Sequence, residues 1–332
     1  MRALITGATG FIGGALARRL QAMNCDVLAT GRDEAAGAAL ARDGVRFVPA
    51  DVCDAGAISR LCSGRERVFH CAALSSLWGR KADFFSANVS GTERVIEACA
   101  AARVGRLIHV SSPSVCMDQR DRLHVGEDEP LPRTAINTYA WSKREAEQRV
   151  LAAAQRGLPA VVLRPQAVFG PGDRAIFPRI LRVARRGTFP RFGNGESLID
   201  VTCLANAIDA LVQAATAPEH CLGQIYHISN GEPWNTEKLL SRLFQELGLV
   251  VRRPRIPFVI AFLIAGALEF FHRAAGLQRE PRLTRYSVCV LARSRTLDIT
   301  KARRDLGYRP AVDVETGIRE FAAAWRVTHA AA

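Results

Sequence analysis

The chain has 332 residues, 48% of them apolar and 23% charged, the balance of a globular protein able to bury a large core. Its net charge of +13 draws anions such as phosphates or carboxylates, but the arginines are scattered and no nucleic-acid-binding signature is present. A solvated basic surface is therefore expected, with no nucleic acid as partner.

"MRALIT" opens the chain as a short apolar strand, "GATGFIGG" follows as a glycine turn, and "ALARRLQAMN" has the apolar spacing of an amphipathic helix. Strand, glycine turn and helix together make a phosphate-binding unit. Gly7 permits the tight turn, Gly10 lets backbone approach a pyrophosphate, and Gly13 allows the helix to pack closely on the strand. "CDVLATG" is predicted as the second strand, "VRFVPADV" as the third and "RVFHCAA" as the fourth, with a helix at "ANVSGTERVIEACAAA". "RLIHVSS" is the fifth, "AVVLRP" the sixth and "QIYHISN" a returning seventh. Apolar strands alternating with helices predict an α/β fold, a doubly wound parallel sheet of Rossmann type.

Beyond Pro171 the rhythm loosens. Residues 1–172 plus 203–230 are expected to form the dinucleotide-binding domain, and 173–202 plus 231–332 a smaller, discontinuous C-terminal lobe for substrate over the strand ends. Segment 256–268, "IPFVIAFLIAGAL", holds no charge but is too short to span a bilayer. Its plain reading is a buried helix of the lobe. The sharper one is an apolar lid that touches membrane through the preceding "RRPR".

No two of the nine cysteines stand three residues apart, and the seven histidines show no helical zinc-binding pair, so no metal is expected. Without a signal peptide the thiols are expected reduced and the protein cytoplasmic.

"YAWSK" puts Tyr139 four places ahead of Lys143 in a run of helix formers, one turn apart on one face. A phenol is a poor base at neutral pH, and a nearby ammonium is expected to lower its pKa toward the working range. Such a tyrosine can give a proton to a carbonyl oxygen as hydride arrives, or take one in reverse. Strand five ends in "VSSPSV", whose Ser111, Ser112 and Ser114 lie at the carboxyl edge, where a hydroxyl can hydrogen-bond the reacting oxygen.

"TGATGFIG", "ANVSGT", "HVSSPSV", "YAWSK" and "LRPQAVFGPGD", in this order, resemble the extended short-chain dehydrogenases/reductases over nearly the whole chain. The resemblance implies Ser112, Tyr139 and Lys143 as the catalytic set, with Asn88 supporting the proton relay; as a plain turn or cap residue Asn88 is equally explained. It also implies cofactor contacts at Gly7, Thr9, Gly10, Phe11, Ile12 and Gly13, at Arg32, Asp51 and Val52, at Ala72 and Ala73, and at Lys143 and Pro165.

In that family an acid ending strand two commonly selects NAD. Here Gly31 stands in its place, with Arg32 next. A glycine leaves room for a 2′-phosphate and a guanidinium pairs with it, so NADP(H) is favoured; Asp33, turned inward, would serve NAD(H) instead. "SSPSV", "GNGESLIDVTCLANAIDA" and "YHISNGEP" are similar to the branch of 3β-hydroxysteroid dehydrogenases and bacterial 2-alkyl-3-oxoalkanoate reductases. This implies a small hydrophobic ketone or alcohol as substrate, which the apolar 256–268 stretch, the loop around Trp78 and Phe169, Phe177 and Phe189 support. A nucleotide-sugar epimerase or dehydratase and a non-catalytic NADP-binding protein are the competing readings. The family also implies a homodimer, formed through the helices beside strands four and five.

Overall fold

The computed structural model describes residues 1–329, and its central layer is a sheet of seven strands. They are β1 (Arg2–Thr6), β2 (Asp26–Gly31), β3 (Arg46–Pro49), β4 (Arg67–His70), β5 (Arg106–Val110), β6 (Ala160–Pro165) and β7 (Ile225–Ile228). Their order across the sheet is β7, β6, β5, β4, β1, β2, β3, every neighbouring pair parallel. The winding reverses between β1 and β4, which opens a crevice at the carboxyl ends of those strands.

Side-chain alternation divides the core in two. Ala3 and Ile5 of β1, Ile108 of β5 and Leu163 of β6 share one cluster with α1 (Phe11–Ala22), which contributes Leu16 and Leu20. Leu4, Leu107 and Val162, one residue out of phase, face the opposite cluster. There they meet α3 (Ala55–Cys62), α4 (Gly91–Ala101) and α5 (Thr138–Gln155), while α2 (Glu34–Arg42) and α6 (Leu204–Thr216) join the first side. Strands buried on both faces explain why these segments are nearly continuous apolar runs.

The lobe carries a helix over Ile176–Ala184, then α7 (Thr236–Glu246), α8 (Phe258–Ala274), α9 (Arg285–Ala292) and α10 (Val314–His329). Phe177, Leu243 and Phe321 lie at the centre of its core. Phe169, Phe177 and Phe189 are all buried in that same cluster, so they are packing residues and line no pocket.

Two segments cross the expected division. Arg122–Val125, from within 1–172, pairs with Arg295–Leu297 in a four-stranded sheet of the lobe. Conversely, Ile299, Ala302, Leu306 and Tyr308, expected in the lobe, pack with Leu16 and Leu20 beside the central sheet. Their apolar side chains return to the larger core, and the Tyr308 hydroxyl donates to the Ser229 carbonyl at 3.0 Å. Segment 256–268 is not a buried helix either. It lies in α8, where Ala261 and Ala265 are buried and the opposite face is exposed. Among the described residues no helix is long and apolar enough to cross a membrane.

Candidate active site

The turn after β1 is built by close approach. Gly7 has φ +68°, and a Cβ there would stand 2.5 Å from the Ala72 backbone, so only glycine lets this turn lie against the loop after β4. A Cβ on Gly13 would come within 2.4 Å of the Gly7 carbonyl oxygen, which seats α1 directly on the turn. Gly10 begins α1 with no side-chain cap, leaving the first-turn amides of Phe11, Ile12 and Gly13 for an anion. A cradle that a Cβ would fill, at an uncapped helix start, fits a dinucleotide pyrophosphate.

The next strand ends differ from expectation in one respect. Where a Cβ on Gly31 would stand, the Thr9 hydroxyl oxygen lies 2.5 Å away. The missing side chain at Gly31 therefore makes room for Thr9, not for a phosphate. Asp33 caps α2, its Oδ1 accepting from the Ala36 amide at 3.0 Å. Arg32 is exposed and only loosely paired with Asp51, at 3.6 Å. Asp51 accepts from the Cys53 amide at 2.9 Å, while Asp54 caps α3. Val52 packs against Gly91, where a Cβ would be 2.7 Å from its methyl carbon.

Beyond β4, Ala72 and Ala73 begin a loop that Asn88 holds in place. The Asn88 carboxamide accepts from the Leu74 amide at 2.6 Å and donates to the Leu74 carbonyl at 3.1 Å. It also donates to the Ser142 hydroxyl at 2.8 Å, tying that loop to α5. Asn88 lies in a π-turn over Phe85–Ser90, a local widening of the helix that frequently accompanies functional sites. It is neither cap nor simple turn.

Ser112 follows β5 and Tyr139 lies in the first turn of α5, which Asn137 caps by accepting from the Ala140 amide at 2.7 Å. Burial pushes the Tyr139 phenol up to about 12, the Ser112 hydroxyl acts on it in the lowering direction, and Tyr286 of α9 raises it. The expected lowering by Lys143 is absent. The Lys143 ammonium donates to the Val110 carbonyl at 2.7 Å, and its own pKa is brought down to about 8 by burial, against the raising effect of Glu147. Pro165 closes β6 on the same edge, paired with Ile228. The strand ends thus present, in order across the sheet, Asp51, Arg32, the glycine turn, Ala72–Ala73, Ser112 and Pro165.

Sequence reasoning missed what supports this set. Ser111 donates to Glu147 at 2.6 Å. Glu147 forms a wholly buried ion pair with Arg164, whose Nε donates at 2.9 Å. Arg164 in turn meets His227 Nε2 at 3.1 Å, and burial lowers that histidine to about 3, so it stands neutral. The spacing Tyr139, Lys143, Glu147 was the available signal, three successive turns on one face.

A cleft of about 200 Å³ opens above the start of α5, lined by Trp78, Asn137, Thr138, His272, Leu277 and Tyr286 among others. Tyr139 is not on its wall; Tyr286, which is, acts on the phenol in the raising direction. Trp78 Nε1 donates to the Leu277 carbonyl at 3.0 Å and joins the loop after β4 to the end of α8.

The family described as "NAD dependent epimerase/dehydratase family" matches residues 3–229. A 2-alkyl-3-oxoalkanoate reductase of Stenotrophomonas maltophilia (strain K279a) is 36% identical, the match covering 97% of this chain and 99% of that protein. The decarboxylating sterol-4-alpha-carboxylate 3-dehydrogenase of Mus musculus is 30% identical over 82% of this chain and 78% of its own length. Among solved structures, the UDP-glucuronic acid 4-epimerase of Bacillus cereus in complex with NAD superposes with a TM-score of 0.78 at 21% identity, covering 99% of this chain and 100% of that one. That likeness speaks for the fold alone.

Proposed function

Since the chain belongs to the NAD dependent epimerase/dehydratase family, the extended short-chain dehydrogenases/reductases, and is an oxidoreductase of that family, we propose that it interconverts a secondary alcohol and a ketone. The pair is a 3-hydroxy and a 3-oxo group on a hydrophobic, steroid-like or long-chain acyl skeleton, and the cofactor is NADP(H). One observation carries this reading: Ser112, Tyr139 and Lys143 lie on one edge of the sheet with an uncapped glycine cradle two strands away.

A bound nicotinamide would supply the hydride. The chain's own groups do the rest. The cradle from Gly7 to Gly13 holds the pyrophosphate on backbone amides. Tyr139, kept protonated by burial, gives its proton to the ketone oxygen. The Ser112 hydroxyl, beside the phenol, orients that oxygen. The phenolate left behind would gain from the Lys143 charge one turn along the helix once the ammonium turns from the Val110 carbonyl, which it holds at 2.7 Å. Asn88 positions the loop that carries Ala72 and Ala73.

Tyr139→Phe is expected to bind cofactor, read by quenching of its fluorescence, while turnover of a hydrophobic 3-oxo substrate falls about 10³-fold. Undiminished turnover would overturn the reading. Quenching by nucleotide-sugars but not by hydrophobic ketones would favour an epimerase.

The cofactor preference is supported by Arg32, exposed at the end of β2 beside Asp51, and by the engagement of Asp33 in a helix cap. NADPH is expected to exceed NADH in kcat/KM, and Arg32→Ala to narrow the gap; equal use of both cofactors by the unaltered protein would remove this part. A homodimer contact along α4 and α5 is part of this reading; in the turn before α4, Phe85 is 41% exposed and stacks on Trp141 of α5 with ring centres 6.2 Å apart. Monomeric protein in solution would remove that part.

A further inference from the structure

Helix α8 is apolar on two sides, and a helix at a protein surface normally keeps one side polar. Its inner side, Ala261 and Ala265 with Phe258 and Phe262, packs into a cluster with Val288 of α9. On the outer side Val259 is 65% exposed, Leu263 67%, Phe270 75% and Phe271 62%, with Ile260 and Ile264 between them at 50% and 49%. Their spacing places them on one face. The only carboxylate of α8, Glu269, is turned inward, where it accepts from the Arg285 amide and Nε at 2.8 and 2.9 Å. The outer face therefore carries no negative charge.

The segments that flank α8 are basic. Arg252 and Arg255 precede α8, and Arg273, Arg279 and Arg282 lie at or beyond its end, all exposed. None has a carboxylate partner among the described residues; nearby acids are taken by other arginines, Glu237 by Arg253, Glu269 by Arg285 and Glu280 by Arg179.

We propose that this face docks the protein on an anionic lipid surface, with α8 lying in the plane of the headgroups. An apolar stripe framed by arginines fits such a surface, where the stripe enters the acyl boundary and the guanidinium groups meet lipid phosphates. A second copy of the chain fits less well. Antiparallel pairing of α8 across a two-fold axis sets the basic start of one helix against the basic end of the other.

A groove of about 400 Å³ lined by Phe262, Leu263, Phe270, Arg273 and Arg285 runs along this face, and the cleft above α5 shares its Arg273 and Arg285. Docking would set the mouth of that cleft against lipid, so a hydrophobic ketone could enter without crossing water. This consequence, unlike the docking itself, rests on the catalytic reading given above.

Flotation of the full-length chain with phosphatidylcholine vesicles, with and without phosphatidylglycerol, tests the docking. The protein is expected to rise with the anionic vesicles, to rise far less with neutral ones, and to be released by high salt. The double variant Leu263→Asp/Phe270→Asp is expected to lose at least about tenfold in partition coefficient, with an unchanged melting temperature. Arg252→Ala/Arg255→Ala is expected to weaken the preference for anionic vesicles. Protein that stays unbound with both vesicle types overturns the proposal, as does undiminished flotation of the aspartate variant. So does a wild-type oligomer that the aspartates split, which would make a second copy the occupant. Turnover of a short, water-soluble ketone separates the two readings: turnover without flotation overturns docking alone, and flotation without turnover overturns the catalytic reading alone.

Discussion

Burial moves Tyr139 and Lys143 in opposite directions, and the gap between them sets how the site responds to pH. On the proposed mechanism, ketone reduction needs a protonated phenol and, beside the phenolate it leaves, a charged ammonium. With its pKa about 12 the phenol stays protonated across the working range, whereas the ammonium at about 8 loses its charge above that pH. The kcat/KM for reduction is therefore expected to be level below pH 8 and to fall above it, while oxidation, which needs the phenolate, gains as pH rises. Lys143→Arg keeps its charge at any accessible pH, so its reductive profile should lose the break near 8; a break that stays there belongs to another group. That Tyr139 and Lys143 stand one turn apart on α5 is legible in the four-residue spacing. The direction of the phenol's shift is not, because it depends on the residues that close over the site, Tyr286 among them, which lies 147 positions further along the chain.

Helix α5 does more than present the tyrosine. Lys143 and Glu147 occupy its next two turns on the buried side, and Glu147 spends its charge on Arg164 of β6 with both side chains 2% exposed. Removing one partner leaves the other charged and unpaired in the core. Arg164→Met is expected to lower stability by about 3–5 kcal/mol in chemical denaturation, and Arg164→Met/Glu147→Gln to recover part of that loss; a single variant as stable as the unaltered protein would show that the pair is compensated by neighbours such as His227. Most elements that position the site announce themselves in sequence, since doubly buried strands must be apolar runs and α1 must show helical spacing. The π-turn that carries Asn88 does not, because a one-residue widening leaves composition and period almost unchanged. The outward face of α8 was half legible: thirteen uncharged residues fit burial as well as an apolar lid, and the packing against α9 shows which side stays open.

How the lobe joins the sheet is decided at a few crossing points, and Asp200 is one of them. It is fully buried, its amide donates to the Arg295 carbonyl at 3.0 Å, and its carboxylate accepts from the Leu297 amide at 2.7 Å. The same strand, Arg295–Leu297, pairs with Arg122–Val125 from the amino-terminal part of the chain, and residues 299–308 continue from it into the larger core. A carboxyl at this junction is poorly solvated when charged, and burial raises its pKa to about 6 from an ordinary 3.8. The folded state then holds a proton that the unfolded chain releases near pH 4. The associated stability is complete below that pH and is lost as pH rises through about 6, a total of roughly 3 kcal/mol. Asp200→Asn cannot ionise, so its stability relative to the unaltered protein should improve by about that amount between pH 4 and 8, measured as parallel denaturation curves across that window. A difference that stays constant with pH would mean that Asp200 ionises freely in the folded protein, and that the junction between lobe and sheet is open to water.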